Sequence, residues 1–311
     1  MARDIQMIAK EREIVNNTIR SFFSSRGYIE VETPIVVRSP GMEPNLVPFE
    51  TTVIEPDKTC HAVALITSPE YSMKKLLGLG MDKIFTLTKV FRNEEELGLS
   101  TGSGSSTHNP EFTMLEWYQQ GADYQTCMDE TEALVKAVCP NLPPDPFRRI
   151  RIVDLFAQAG LDLEHLEHVG DDTDSDAFHR SFLNKIEPNL GVDPVFVYDY
   201  PIYQASLSRL TADGKYGERF ELYVDGLELC NAFTELTDVD EQRRRFIEEA
   251  EERRALGKTV FPLDEELLRL LPNIQNPSYG NALGIDRLHM IAFGAKSIED
   301  VMLFPAGKLF L

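Results

Sequence analysis

Apolar residues recur along this chain with two periods, and the switches between them mark its elements. Ile8, Val15, Ile19 and Phe22 fall at spacings of seven, four and three, which predicts an amphipathic opening helix. Gly27 is placed to end it. Residues 28–32 alternate and read as a strand stopped by Pro34. Residues 38–44, with two prolines and a glycine, read as a loop. A short apolar strand at 63–67 precedes a helix at 69–77 with proline in its first turn. Residues 84–92 and 112–118 read as a strand and its return partner.

The loop between those two strands carries Leu-Ser-Thr-Gly-Ser-Gly-Ser-Ser-Thr at 99–107. That composition is either a flexible tip or a loop that gates a substrate or partner. Residues 124–138 read as a helix, and the Pro-rich stretch 142–146 as a module edge. Two or three short helices are expected over 153–190, making 142–190 a helical insertion. A strand at 195–200 is followed by two more over 220–236, turning at Asp225-Gly226. The charged run 240–256 reads as a solvated helix capped by Asp238 or Asp240, with Arg and Glu at i,i+4 spacings. A short strand at 281–285 and a helix at 286–293 close the pattern. No internal repeat is visible. Hairpins mixed with helices predict an α+β fold rather than alternating βαβ units.

Charge narrows the classes. The 311 residues hold 31 Lys and Arg against 51 Asp and Glu, a net charge of −20. That balance disfavours a nonspecific grip on nucleic acid and makes stable tRNA binding unexpected, leaving a local basic patch open. Cys60, Cys127, Cys139 and Cys230 are scattered with no C-x-x-C, which argues against a zinc ribbon and a secreted disulfide scaffold. No apolar run approaches the ~20 residues that span a bilayer. Residues 1–12 lack a signal-peptide hydrophobic region. The expectation is a soluble cytoplasmic protein without membrane attachment.

Three segments place polar residues where periodicity demands burial. The first is Phe91-Arg92-Asn93-Glu94-Glu95, answered by His108-Asn109-Pro110-Glu111-Phe112 and Leu115-Glu116-Trp117-Tyr118. In the second, Glu228, Asn231 and Glu235 interrupt an apolar strand. The third is Gly284-Ile285-Asp286-Arg287-Leu288, an arginine at a strand-to-helix junction. Arginines suit nucleotide phosphates, because guanidinium meets phosphate oxygens in a fixed fork. Paired glutamates suit Mg²⁺, and the other carboxylates suit a cationic substrate. No P-loop or G-x-G-x-x-G pattern supplies an alternative phosphate site. Taken alone, Arg92 with Glu94 is equally a structural salt bridge; three such segments together point to a site.

These motifs resemble a known family. Phe91–Glu95 with His108–Tyr118 is similar to motif 2 of class II aminoacyl-tRNA synthetases in the lysyl form. Ala282-Leu283-Gly284-Ile285-Asp286-Arg287-Leu288 is similar to motif 3, and the opening helix with Val31-Glu32-Thr33-Pro34 to motif 1, the dimerisation element. Thr67-Ser68-Pro69-Glu70-Tyr71 resembles the lysyl family's amino-acid-binding stretch. Within the family, Thr67–Tyr71, Gln204-Ala205-Ser206-Leu207 and Ala282 in place of a glycine resemble a truncated paralogue group that modifies translation elongation factor P. The chain also begins almost at motif 1, without room for an anticodon-binding OB domain. Two departures stand out: the Gly/Ser/Thr stretch ending at Thr107, and Ala232 where the family usually has glycine.

The resemblance implies a single class II catalytic domain over 1–311, an antiparallel sheet of six or seven strands flanked by helices, and a homodimer. It implies an ATP-dependent ligase that activates (R)-β-lysine or lysine as an adenylate and transfers it to a lysine of elongation factor P. Arg92 and Arg287 would be catalytic, on the α- and γ-phosphates. Asn93, Glu94, His108, Asn109, Phe112, Leu229 and Gly284 would complete the ATP site. Glu228 and Glu235 would carry Mg²⁺. Ser68, Pro69, Glu70, Glu116, Tyr118, Asn231, Glu235 and Ala282 would bind the amino acid. The alternatives are a minimal lysyl-tRNA ligase, a non-catalytic lysine-binding paralogue, and an amide synthetase acting on a small amine.

Overall fold

The Asp4 carboxylate accepts a hydrogen bond from the Gln6 N–H and starts helix α1, Ile5–Ser24, satisfying a donor the helix itself leaves orphaned. Its predicted stripe of Ile8, Val15, Ile19 and Phe22 is the buried one. The computed structural model describes residues 3–94, 107–170, 172–205 and 207–309. Glu95, Ser206 and all of the 99–107 loop but Thr107 therefore lie outside the described residues.

After α1 come β1 (Ile29–Glu30), β2 (Val36–Val37), β3 (Glu50–Ile54), β4 (Cys60–Leu65), α2 (Glu70–Gly78), β5 (Lys83–Phe91) and β6 (Glu111–Gln120). Next are α3 (Tyr124–Val138), β7 (Arg148–Arg151), α4 (Ile152–Gln158), α5 (Asp174–Ser181), β8 (Val195–Pro201), β9 (Tyr216–Val224) and β10 (Leu227–Thr234). The chain continues through α6 (Val239–Ala255), α7 (Glu265–Leu270), β11 (Ser278–Gly284), α8 (Ile285–Phe293) and α9 (Ala306–Leu309). Asp238 is the cap of α6, accepting from the Glu241 N–H.

The main sheet has eight strands in the order β1-β5-β6-β11-β10-β9-β8-β7, and β2-β4-β3 form a second, small sheet. The six central strands are antiparallel, as expected, but β1 and β7 run parallel to their neighbours at the two edges. Each reaches its partner through a long crossover rather than a hairpin, and a long crossover is what permits parallel pairing. Because β7 joins the sheet, the segment 142–190 is not wholly helical. The sequence pattern missed β2, β3 and β7 because none has a buried face: β3 is exposed along its whole length.

Helices α1, α3 and α8 cover one face of the sheet around Phe23, Phe85, Leu115, Trp117 and Leu288. Helices α2, α6 and α7 cover part of the other around Met73, Leu77, Tyr118, Phe233, Phe246 and Leu267. The alternation of β6 assigns its side chains: Leu115 and Trp117 enter the first core, whereas Met114, Glu116 and Tyr118 face the opposite side. There the helices leave a gap. No helix among the described residues is long and apolar enough to cross a membrane.

Candidate active site

The gap is a cavity of about 290 Å³ floored by β6, β11 and β10. Register explains its lining. Glu116 stands opposite Ala282, and Ala282 opposite Asn231, so one rung of the sheet carries all three. On β10 a bulge between Glu228 and Cys230 shifts the pairing with β9 by one residue. A bulge inverts the alternation beyond it, which is how Glu228 and Asn231, three positions apart, both reach the cavity.

One end of the cavity is cationic. Arg287, in the first turn of α8, donates from Nη1 to the Glu228 carbonyl at 2.8 Å and meets His108 Nε2 through Nη2 at 2.8 Å. Burial, then Arg287 and Arg92, lower the His108 pKa to about 4. His108 is therefore neutral near pH 7 and accepts from Arg287. Arg92 sits over the Phe112 ring, 5.1 Å from its centroid. Behind Arg287, Asp286 accepts from the Thr113 N–H at 2.7 Å and pairs with Arg12 of α1, which fixes the start of α8 against β6.

The other end is anionic. Glu116 is fully buried and accepts from Ser68 Oγ and from Tyr118 Oη at 2.9 Å. Burial, then the charge of Glu70, raise its pKa to about 8. Glu235 pairs with Lys74 at 2.6 Å, and Lys74 pairs with Glu70 at 2.5 Å. Burial opposes the Lys74 charge, but Glu235 and Glu70 together outweigh it and hold the ammonium above its ordinary value. Gly280 keeps the floor open: a Cβ there would collide with the Glu235 carboxylate and the Tyr118 ring.

Most of the residues expected from sequence converge here. Ser68, Glu70, Arg92, His108, Asn109, Phe112, Glu116, Tyr118, Glu228, Leu229, Asn231, Ala282, Gly284 and Arg287 line the one cavity. Three do not. Pro69 is the cap residue of α2. The Asn93 N–H donates to the Val47 carbonyl at 2.7 Å, and Glu94 adopts a left-handed backbone, φ 60°; neither lines the cavity.

The expected metal pair is corrected. Glu228, in β10, and Glu235, just past its end, are seven residues apart in an extended run, roughly 20 Å at about 3.3 Å per residue, and Glu235 turns to Lys74. One ion does not bridge that span. The structure instead brings Glu221 of β9 beside Glu228. Glu221 pairs with Asn231 across the ladder, and Tyr223 two residues on pairs with Glu228, so the two carboxylates are diagonal neighbours. Burial and then Glu221 raise the Glu228 pKa, and Arg287, Arg219 and Arg92 pull it the other way. Arg219 donates to Asn231 Oδ1 at 2.9 Å and to Glu221 at 2.5 Å, and Tyr200 and Tyr223 each donate to Glu221 at 2.6 Å. The missed signal was Arg219 and Glu221 alternating with the apolar Phe220 and Leu222. Among the described residues no cluster of three or more His, Cys, Asp or Glu is arranged for a metal.

The sequence model of the class II tRNA synthetases of the D, K and N group matches residues 1–308. Curated relatives from Yersinia enterocolitica, Edwardsiella ictaluri and an Enterobacter species are each 38% identical over 316 aligned positions, covering 96% of this chain and 94% of the relative. Each of them is named an elongation factor P–(R)-β-lysine ligase.

Proposed function

The chain belongs to the class II tRNA synthetase family of the aspartyl, lysyl and asparaginyl group, and from that membership we propose an ATP-dependent ligase that activates (R)-β-lysine, or lysine, and transfers it to a lysine side chain of elongation factor P. The observation that carries this reading is one cavity with guanidinium groups at one end and buried carboxylates at the other. A diamino acid and a nucleoside triphosphate meet complementary charge in that arrangement.

In the first step a substrate carboxylate oxygen attacks the α-phosphorus of ATP. The bond to the bridging oxygen breaks, and pyrophosphate leaves with its electron pair. Arg92 stabilises charge on the equatorial oxygens as the transition state forms. Arg287 holds the γ-phosphate, and neutral His108, Asn109, Phe112, Leu229 and Gly284 complete the nucleotide's bed. Glu228 with Glu221 would hold Mg²⁺, a hard cation that neutralises phosphate charge and suits two carboxylates plus phosphate oxygens. Ser68, Glu70, Glu116, Tyr118, Asn231 and Glu235 bind the ammonium groups, the incoming cation offsetting the cost of burying their charge.

In the second step the acceptor's amine attacks the acyl carbonyl. An amide forms, AMP departs, and the amine nitrogen gives up its proton. With a pKa near 4, His108 is too weak a base for that proton, and proximity in the docked complex supplies much of the acceleration. Ala282, at the centre of the floor opposite Glu116, takes room a glycine would leave and favours a β-amino substrate.

The working unit is a cytoplasmic homodimer. Ile5, Met7 and Ile14 of α1 and Ile29 of the neighbouring edge strand are exposed, apolar surface of the kind that a second copy covers. Light scattering on the purified chain tests this, and a monomer at micromolar concentration would overturn it.

ATP–pyrophosphate exchange with lysine and (R)-β-lysine in parallel, chased with unmodified elongation factor P or lysine tRNA, tests the activity. Exchange with (R)-β-lysine and a mass gain on the protein acceptor is the expected result. Label on tRNA alone would replace it with a minimal tRNA ligase, and no exchange with either amino acid would leave a binding protein.

A further inference from the structure

One carboxylate on the cavity wall has no part in the assignments above. Glu43 lies in the connection between β2 and β3, and it lines the cavity beside Glu70 and Arg92. The connection is built to hold it there. Arg253 of α6, 2% exposed, donates from Nη1 to the Glu43 carbonyl at 2.9 Å and to the Leu46 carbonyl at 3.0 Å. Lys258 Nζ donates to the Pro44 carbonyl at 2.6 Å. On the inner side Thr67 Oγ1 donates to the Pro40 carbonyl at 3.2 Å. Gly41, with φ 140°, has no Cβ, and the Glu43 carboxylate folds into the space a Cβ would take. Three donors from two other segments thus pin the backbone on either side of one acidic side chain.

Glu43 enters no salt bridge with the described residues. Burial and then the charge of Glu70 raise its pKa, and Arg92 and Lys74 pull the other way. Its place along the cavity follows from the backbone. Asn93, next to Arg92, donates from its N–H to the Val47 carbonyl at 2.7 Å, so the connection that carries Glu43 runs alongside Arg92. Glu43 therefore enters the cavity from the side of the guanidinium that faces the reacting carboxylate, in the same lining as Glu70 and Glu116.

We propose that Glu43 binds the substrate amino group nearest the reacting carboxylate, while Glu116 and Glu235 take the distal ammonium. The inference rests on the diamino-acid reading above. It makes the Glu43 connection, and not the sheet floor alone, the element that distinguishes a diamino acid from one bearing only a terminal amine.

The test is pyrophosphate exchange by the full chain, wild type against Glu43→Gln, with the diamino acid that wild type accepts. Its companion is 6-aminohexanoate as a competitive inhibitor, which keeps the carboxylate and the distal amine and lacks the proximal one. Loss of a charge-assisted hydrogen bond is expected to raise KM for the diamino acid roughly tenfold to a hundredfold. The inhibition constant of 6-aminohexanoate should stay within about twofold. An unchanged KM, or a KM and an inhibition constant that rise together, would overturn the inference and leave the activity standing. Absence of exchange by wild type with any diamino acid would instead remove the activity itself. Should Glu43→Gln fail to fold, as read by its thermal midpoint, Glu43→Asp carries the same comparison, because withdrawing the carboxylate by one methylene weakens only the proximal contact.

Discussion

Lys74 Nζ lies 2.6 Å from a Glu235 carboxylate oxygen, and both side chains are sealed from solvent. An ion pair in that setting is defined by what happens when half of it is removed. Lys74→Met leaves Glu235 and Glu70 without their cation, and breaking a buried pair this way costs about 3–5 kcal/mol. The double variant Lys74→Met/Glu235→Gln should recover a large part of that loss. Urea unfolding of the two singles and the double checks this, and strictly additive losses would show that the pair is not coupled.

Glu116 makes the free protein's stability depend on pH. The folded chain keeps the Glu116 proton up to about pH 8, while an unfolded chain sheds it near the ordinary carboxylate value of about 4.3. Between those points the folded state binds more protons, so this residue's contribution to stability is full at low pH and lost as pH rises toward 8. Glu116→Gln should abolish that share. The comparison is the difference in urea midpoint between pH 6 and pH 9, which should be smaller in the variant than in wild type.

The same group shapes activity in the opposite direction. A substrate ammonium needs the ionised carboxylate, so kcat/KM for the amino acid should rise with pH as Glu116 ionises, up to about pH 8. Glu116→Gln should flatten that limb and lower its plateau. A limb that survives unchanged would assign the ionisation to another group.

The corrected acidic pair separates two phenotypes that the strand sequence would merge. Glu221→Gln should shift the Mg²⁺ concentration for half-maximal exchange upward by roughly tenfold or more, in keeping with the loss of one carboxylate ligand. Glu235→Gln should leave the Mg²⁺ curve in place and raise KM for the amino acid. Titrating Mg²⁺ at saturating ATP with both variants decides it, and a Mg²⁺ shift confined to Glu235→Gln would restore the original pairing.

Arg287→Lys keeps the charge but loses the fork that reaches the Glu228 carbonyl and His108 at once. The expected fall in kcat is roughly a hundredfold to a thousandfold, the scale of removing a preorganised donor to developing charge. KM for the amino acid should move little. Exchange kinetics with each substrate varied in turn separate the two parameters.

The sequence alone determined more of this protein than its fold class. The helix stripes and the hairpins follow from local period, and the resemblance to the synthetase motifs implied fourteen of the residues that line the cavity. An amphipathic helix or an alternating strand is encoded in residues a few places apart, so a reader of the chain sees it directly. What the chain concealed depends on positions far apart. The edge strand β7 and the small-sheet strands β2 and β3 have no buried face to give them a pattern, and only their neighbours make them strands. The bulge in β10 inverts the inside and outside of a run that period two would read straight through, which brings Glu228 to Asn231's side. Glu221 becomes Glu228's neighbour across a ladder, while Glu235, in the same strand-like run as Glu228, is carried away to Lys74. Glu43 enters the site because Arg253, 210 residues later, holds its backbone there. Cross-strand register and packing against distant helices are set by the whole chain at once, and no window along the sequence contains them.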